Sequence, residues 1–208
     1  MQGGTLTQRL TSLKRPFSEK ECIAIMKQIL SALSFCHSRG FAHRDIKCEN
    51  IMFVGPELNS PCKLIDFGFA SRFAPQKGFN ELLGSPLYMP PQIITGNAYN
   101  EKCDIWSLGI VLHYLLTGKF PYKATNFKDL QAEISQARFT NDSFKDIKGF
   151  SDIGKSFLSK MLTFGEKERP SAQQLLSDSW IATDIQQVEM TEADKNELYS
   201  NMMKTKAF

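Results

Sequence analysis

Cysteine pairs, long apolar runs, low-complexity linkers and a strong charge of either sign are all missing from these 208 residues. The five cysteines, Cys22, Cys36, Cys48, Cys62 and Cys103, are odd in number, dispersed, and include no C-x-x-C pair. That pattern argues against a disulfide scaffold and against zinc-type spacing, and predicts reduced thiols in a cytoplasmic setting. Net charge is only +3, which implies neither a nucleic-acid partner nor a membrane surface. The longest apolar run, 105–116, is interrupted by Ser107 and His113. It is too short to span a bilayer and reads as a buried core helix. Residues 1–7 are polar and glycine-containing, unlike a secretory signal. What is present is ordinary for a globular chain: 42% hydrophobic and 23% charged residues, enough for one well-cored domain.

Periodicity predicts a helix over 18–39, with Ser18 as N-cap, Cys22, Ile25, Met26, Ile29, Leu30 and Leu33 on one face, and Gly40 just past its end. Two short extended pieces follow, 51–54 and 63–65, joined by the turn-rich 55–61; that length fits a hairpin. Residues 66–92 hold glycines and prolines with no lasting period and read as a long ordered loop, a kind of segment that usually carries function. Helices are expected again near 101–118, 126–136, 152–162 and 171–179. The polar end, 182–208, carries a weak helical pattern and reads as a tail. The class expected is α+β, mainly helical with one small β-hairpin.

The stretch richest in chemistry is His43-Arg44-Asp45-Ile46-Lys47-Cys48-Glu49-Asn50, followed by Asp66-Phe67-Gly68. Asp45 and Asp66 supply two carboxylates, Asn50 an amide oxygen, and Lys47 a point charge two residues from Asp45. Oxygen ligands of this kind hold magnesium, a carboxylate can orient and deprotonate a hydroxyl, and a lysine can meet a phosphate. The hairpin between Asn50 and Asp66 would bring the groups back together. Each residue alone has a bland reading, as a loop carboxylate, a helix cap or a satisfied core histidine.

Taken together, the H-R-D-x-K-x-x-N loop and the D-F-G motif, in this order and separation, resemble the eukaryotic protein kinase superfamily, serine/threonine branch. The resemblance implies ATP and Mg2+ as cofactors and a serine or threonine hydroxyl of a protein as substrate. It implies Asp45 as catalytic base, Lys47 as phosphate contact, Asn50 and Asp66 as metal ligands, and Met52 as the floor of the adenine pocket. Gly84-Ser85-Pro86-Leu87-Tyr88-Met89-Pro90-Pro91-Gln92 resembles the peptide-docking loop, with Ser85 as a hydroxyl near Asp45. Asp104-Ile105-Trp106-Ser107-Leu108-Gly109 resembles the start of the central helix, whose aspartate receives backbone N–H groups of the catalytic loop. His43, Phe67 and Gly68 take structural places in the same pattern.

Three departures stand out. The A-P-E motif reads Pro90-Pro91-Gln92, so the partner of the late arginine, Arg169, is a neutral amide. The position three before Gly84, where many kinases carry a phosphorylated threonine, is Glu81. A fixed carboxylate there could pair with Arg44, or it could be a solvated loop charge. Finally, Gly3-Gly4-Thr5-Leu6 resembles the segment after the interlobe hinge, and no glycine-rich phosphate loop or V-A-I-K lysine can be placed in the 208 residues. The expectation is a kinase C-terminal lobe over 1–181, without the N-terminal β-lobe, followed by the tail 182–208.

The D-F-G and docking-loop sequences look like the autophagy-initiating kinases, while Leu175-Leu176-Ser177-Asp178-Ser179-Trp180-Ile181 looks like the calcium/calmodulin-dependent group, which is the favoured grouping. Two functions stay open at this level: a serine/threonine kinase with regulatory protein partners, or a noncatalytic scaffold that docks proteins through its helices.

Overall fold

The structure is a computed structural model that describes residues 2–13, 15–57, 59–73 and 78–182. Its first helix, α1 (Leu6–Leu13), turns Leu6 and Leu10 into the core. Eight residues leave little periodic signal in the sequence, and this helix is fixed by tertiary contacts instead. Arg9 donates to the carbonyls of Glu57 and Gly55 at 2.5 and 2.6 Å and lies over the Phe53 ring.

The long helix α2 (Glu19–Ser38) begins where the sequence says it should. Ser18 and Glu21 form a reciprocal capping box, which satisfies two of the otherwise orphaned N-terminal N–H groups. Gly40 leaves it with φ +76°, a left-handed conformation that glycine adopts without steric cost. The chain then reverses into β1 (Phe41–Ala42). The hairpin expected next is present: β2 (Ile51–Phe53) and β3 (Cys62–Leu64) pair antiparallel with Met52 opposite Lys63. Inside the expected loop lies β4 (Ser71–Arg72), antiparallel to β1. Two-residue strands leave no alternation to read, so this pair was not legible.

A four-residue helix, α3 (Pro91–Ile94), precedes the central helix α4 (Cys103–Thr117). Leu108, Ile110, Val111, Leu112 and Leu115 are fully buried on α4, and Gly118 closes it in a left-handed cap. The next helix, α5 (Phe127–Gln136), capped by Asn126, packs against α3, while α6 (Asp152–Met161), capped by Ser151, packs against α4. The helix expected over 171–179 is two short ones, α7 (Ala172–Leu176) and α8 (Ser179–Ala182). The break has a local cause: Asp178 Oδ1 accepts the Trp180 N–H at 3.0 Å, restarting the helix from a side chain. Trp180 is fully buried and donates to Glu19 at 2.7 Å, tying the end of the domain to the start of α2.

The described residues are thus helix-rich with two two-stranded sheets, which agrees with the α+β expectation at that level. Of the expected tail, only Ala182 falls among the described residues. No described helix is long and apolar enough to cross a membrane. The five cysteines are free, and four of them are buried.

Candidate active site

The loop at 43–50 is anchored from below. Asp104, at the start of α4, is almost wholly buried, and its two carboxylate oxygens accept the backbone N–H groups of His43 and Arg44, both at 2.8 Å. His37, in the last turn of α2, reaches the same carboxylate at 2.8 Å. Burial alone would push this carboxyl up. The hydrogen bond and charge of His37, with the His43 N–H, outweigh it and hold the pKa below the ordinary aspartate value. The anchoring matters because Arg44 sits at φ +67°, a conformation that costs a non-glycine residue about 1–2 kcal/mol. The aspartate's two N–H contacts fix that otherwise unfavourable bend.

On this loop the side chains at 45, 47 and 50 meet. Asp45 is buried; its Oδ2 lies 2.7 Å from Lys47 Nζ and accepts from Asn50 Nδ2 at 3.0 Å. The same amide donates to the Asp45 backbone carbonyl at 2.9 Å. Ser85, from the loop at 84–92, donates to Asp45 Oδ1 at 2.9 Å and accepts from Lys47 at 3.0 Å. Asp45 is therefore locked from three sides by groups whose own positions are fixed. Gly84, at φ +109°, lets the loop at 84–92 approach closely: a Cβ there would stand 2.9 Å from the Arg44 carbonyl.

Asp66 joins this group through the backbone rather than by direct side-chain contact. Ile65 N–H donates to the Asn50 carbonyl at 2.9 Å, and the Ile65 carbonyl lies 3.1 Å from His43 Nε2. Asp66 is exposed at φ +60°, with its Oδ1 accepting the Gly68 N–H at 3.1 Å. The Phe67 ring packs on His43 at 4.8 Å yet remains half exposed. His43 is thus both a satisfied core histidine and the link between the two motifs. Met52 stands half-buried on β2, bridged to Thr5.

Arg44 reaches outward from the loop. It donates through Nε to the Phe69 carbonyl at 2.8 Å, lies over the Phe79 ring, and pairs with Glu81 at 3.1 Å. Glu81's own backbone N–H, with the Arg44 charge, lowers its pKa. Its carbonyl is held by the Tyr99 hydroxyl at 3.0 Å. Gln92 and Arg169 also meet: Arg169 Nη2 donates to Gln92 Oε1 at 3.0 Å. The guanidinium is fully buried and donates further to the carbonyls of Thr163 and Lys102, while burial lowers its pKa to about 10.

His37 is the residue that sequence reasoning passed over. Its only signal was a histidine at the end of an apolar helix, six residues before the loop, and its partner lies 67 residues away.

The donor set suits magnesium with a triphosphate. Among the described residues no group of three His, Cys, Asp or Glu side chains could hold a metal alone. Magnesium needs only one or two protein carboxylates, the rest of its shell coming from phosphate and water. Asn50 spends its NH2 on Asp45, so its amide oxygen faces away from that carboxylate, and Asp66 is exposed close by along the backbone.

Comparison with known proteins bears on the same residues. The family described as "Protein kinase domain" matches 1–181. Calcium-dependent protein kinase 8 of Arabidopsis thaliana is 38% identical over 182 residues, covering 86% of this chain and 33% of that protein. Calcium-dependent protein kinase 5 of Plasmodium falciparum (isolate 3D7) is 36% identical over 178 residues, covering 86% of this chain and 31% of that protein. The chain spans about a third of the length of these curated relatives. Their names agree in calcium dependence with the calcium/calmodulin-dependent-like grouping suggested by 175–181. From a family match that takes in both motifs and the central helix, the chain belongs to the protein kinase family, serine/threonine type and calcium-dependent-like.

Proposed function

We propose that residues 1–181 are the C-terminal lobe of a serine/threonine protein kinase domain, and that this lobe transfers the γ-phosphoryl group of ATP to a hydroxyl of a protein substrate in the cytoplasm. Asp45 orients the hydroxyl and takes its proton as the new O–P bond forms. Lys47 meets the transferring phosphoryl as a point charge, and Ser85 keeps Lys47 and Asp45 in register. Asn50 and Asp66 would hold magnesium, which when bound would supply positive charge to the phosphate oxygens; the bond to ADP breaks as the new one forms. Met52 lies under the adenine. Glu81, paired with Arg44, orders the docking segment without phosphorylation at that position. Phe67, half exposed above His43, marks the face on which a nucleotide-covering lobe would sit. Regulatory protein partners fit the same reading, as does calcium dependence, which the relatives' names give for those proteins.

The observation that carries this is the hold on Asp45: three side chains from two loops fix one buried carboxylate beside a lysine. A merely structural aspartate would not need a cation and a hydroxyl that also touch each other. The test is transfer from γ-labelled ATP and magnesium to serine- and threonine-containing peptides by the natural protein that contains this chain. Asp45→Asn should lower turnover at least a hundredfold, the scale of a lost general base. Peptide binding with no transfer by the unmodified protein would favour the scaffold reading.

A further inference from the structure

Away from Asp45, the turn between α2 and β1 gathers two arginine–phenylalanine pairs made by different elements. On the last turns of α2, the Arg39 guanidinium lies 3.5 Å over the centre of the Phe35 ring, an i,i+4 pair. Across the small sheet, Arg72 on β4 stands opposite Phe41 on β1, with its guanidinium 5.2 Å from the ring centre. Both rings are exposed, Phe35 at 57% and Phe41 at 39%. The left-handed bend at Gly40 brings the two pairs to one corner, and the Phe73 N–H closes that corner on the Gly40 carbonyl at 2.9 Å.

Neither arginine has a carboxylate partner among the described residues. Among the described residues the Arg39 side chain makes only two long bonds, through Nη1, to the Phe35 carbonyl at 3.4 Å and the Ser38 hydroxyl at 3.5 Å. A helix-surface pair of this sort is unremarkable when single. Here two guanidinium forks without a carboxylate partner among the described residues each lie against a phenyl ring that stays partly exposed. A guanidinium so held presents parallel N–H groups suited to a carboxylate.

We propose that this corner docks an acidic peptide segment of a partner protein, in which carboxylates flank an apolar side chain. The carboxylates would take the forks of Arg39 and Arg72, and the apolar residue would cover Phe35 and Phe41. Charge complementarity selects this occupant. Two arginines beside apolar rings are too few and too local for nucleic acid, which needs a basic stripe along its backbone. Arg72 lies six residues past Asp66, on the segment that Arg44 grips at Phe69. A partner docked there would touch the strand leading into the docking loop without entering the site at Asp45.

The experiment is fluorescence anisotropy on the natural protein, without ATP, so that it reads docking and not transfer. The probe is a labelled peptide in which glutamates flank a phenylalanine; controls carry glutamine or lysine in place of glutamate. The acidic probe should bind at least tenfold tighter than the glutamine control at low salt. Arg39→Glu with Arg72→Glu should weaken it at least tenfold and should gain binding of the lysine peptide. That charge-swap rescue separates docking from mere misfolding of the variant. Equal binding of the acidic probe to both proteins, or no binding to either, overturns the proposal. So does Arg39- and Arg72-dependent binding of single-stranded DNA or anionic vesicles in place of the peptide.

Discussion

His37 and Asp104 meet at 2.8 Å beneath the loop that carries Asp45, joining the end of α2 to the start of α4. Removing either one should loosen that loop. Asp104→Asn puts an amide NH2 where an acceptor is needed, so backbone N–H groups of His43 or Arg44 go unpaired. A loss of about 3 kcal/mol in denaturant unfolding is expected. His37→Ala should cost about 1–2 kcal/mol and His37→Gln less, because the amide can still donate. The carboxyl's pKa is lower folded than unfolded, so its stabilisation is present above the ordinary aspartate range and is lost as pH falls through the folded value. The stability of the unmodified protein should therefore drop more steeply below about pH 4 than that of Asp104→Asn.

A second pH effect comes from His113. Burial lowers this histidine to about 4, and its Nδ1 lies 2.9 Å from the Lys119 carbonyl. The unfolded chain takes up a proton near pH 6.5, where the folded one does not. Stability is then full above pH 6.5 and falls as pH drops towards 4, by on the order of 2–3 kcal/mol. Replacing His113 with glutamine should flatten urea-midpoint curves in that window; an unchanged slope would place the pH dependence elsewhere.

Gln92 offers a gain. Arg169 is fully buried; its direct hydrogen bonds go to neutral carbonyls and one neutral amide, with the Glu166 carboxylate acting on it without a direct bond. Gln92→Glu supplies a directly bonded carboxylate and should raise the melting temperature by a few degrees at pH 7, equivalent to about 1 kcal/mol. Because the new carboxyl is stabilised in its ionised form, the gain should vanish as pH falls through the carboxylate range. The substitution also removes the Gln92 Nε2 bond to the Phe164 carbonyl at 2.6 Å. No rise would mean that this lost bond outweighs the new pair.

How much of this was legible in the sequence follows from where the information sits. The capping box at Ser18 and Glu21, the hairpin around Met52 and the buried α4 are local patterns, and all three are present. The motif spacing pointed to Asp45, Lys47 and Asn50, which touch within one short loop. Contacts across long separations were legible only where family resemblance supplied them, as for Asp104. His37 had no such help. The α1 helix and the β1–β4 pair escaped because two to eight residues cannot display a period, and Asp178 splits the last helix through a single side-chain bond.

The Arg44–Glu81 pair makes a kinetic prediction. If Glu81 stands in for a phosphate, Glu81→Ala should lower turnover in the natural protein while Glu81→Asp keeps part of it, with melting temperature unchanged in both. Three equal rates in a peptide phosphorylation assay would reduce Glu81 to a solvated loop charge.

The central claim is spatial: the groups at 45, 47, 50 and 66 surround one metal-bound triphosphate end. Its most direct test is a crystal of the natural protein grown with Mn2+ and a non-hydrolysable ATP analogue, read by anomalous scattering. The account predicts a manganese peak bonded to Asn50 Oδ1 and an Asp66 carboxylate oxygen, at about 2.0–2.2 Å, with the terminal phosphate beside Lys47. Manganese and nucleotide bound with neither Asn50 nor Asp66 as a ligand would contradict it.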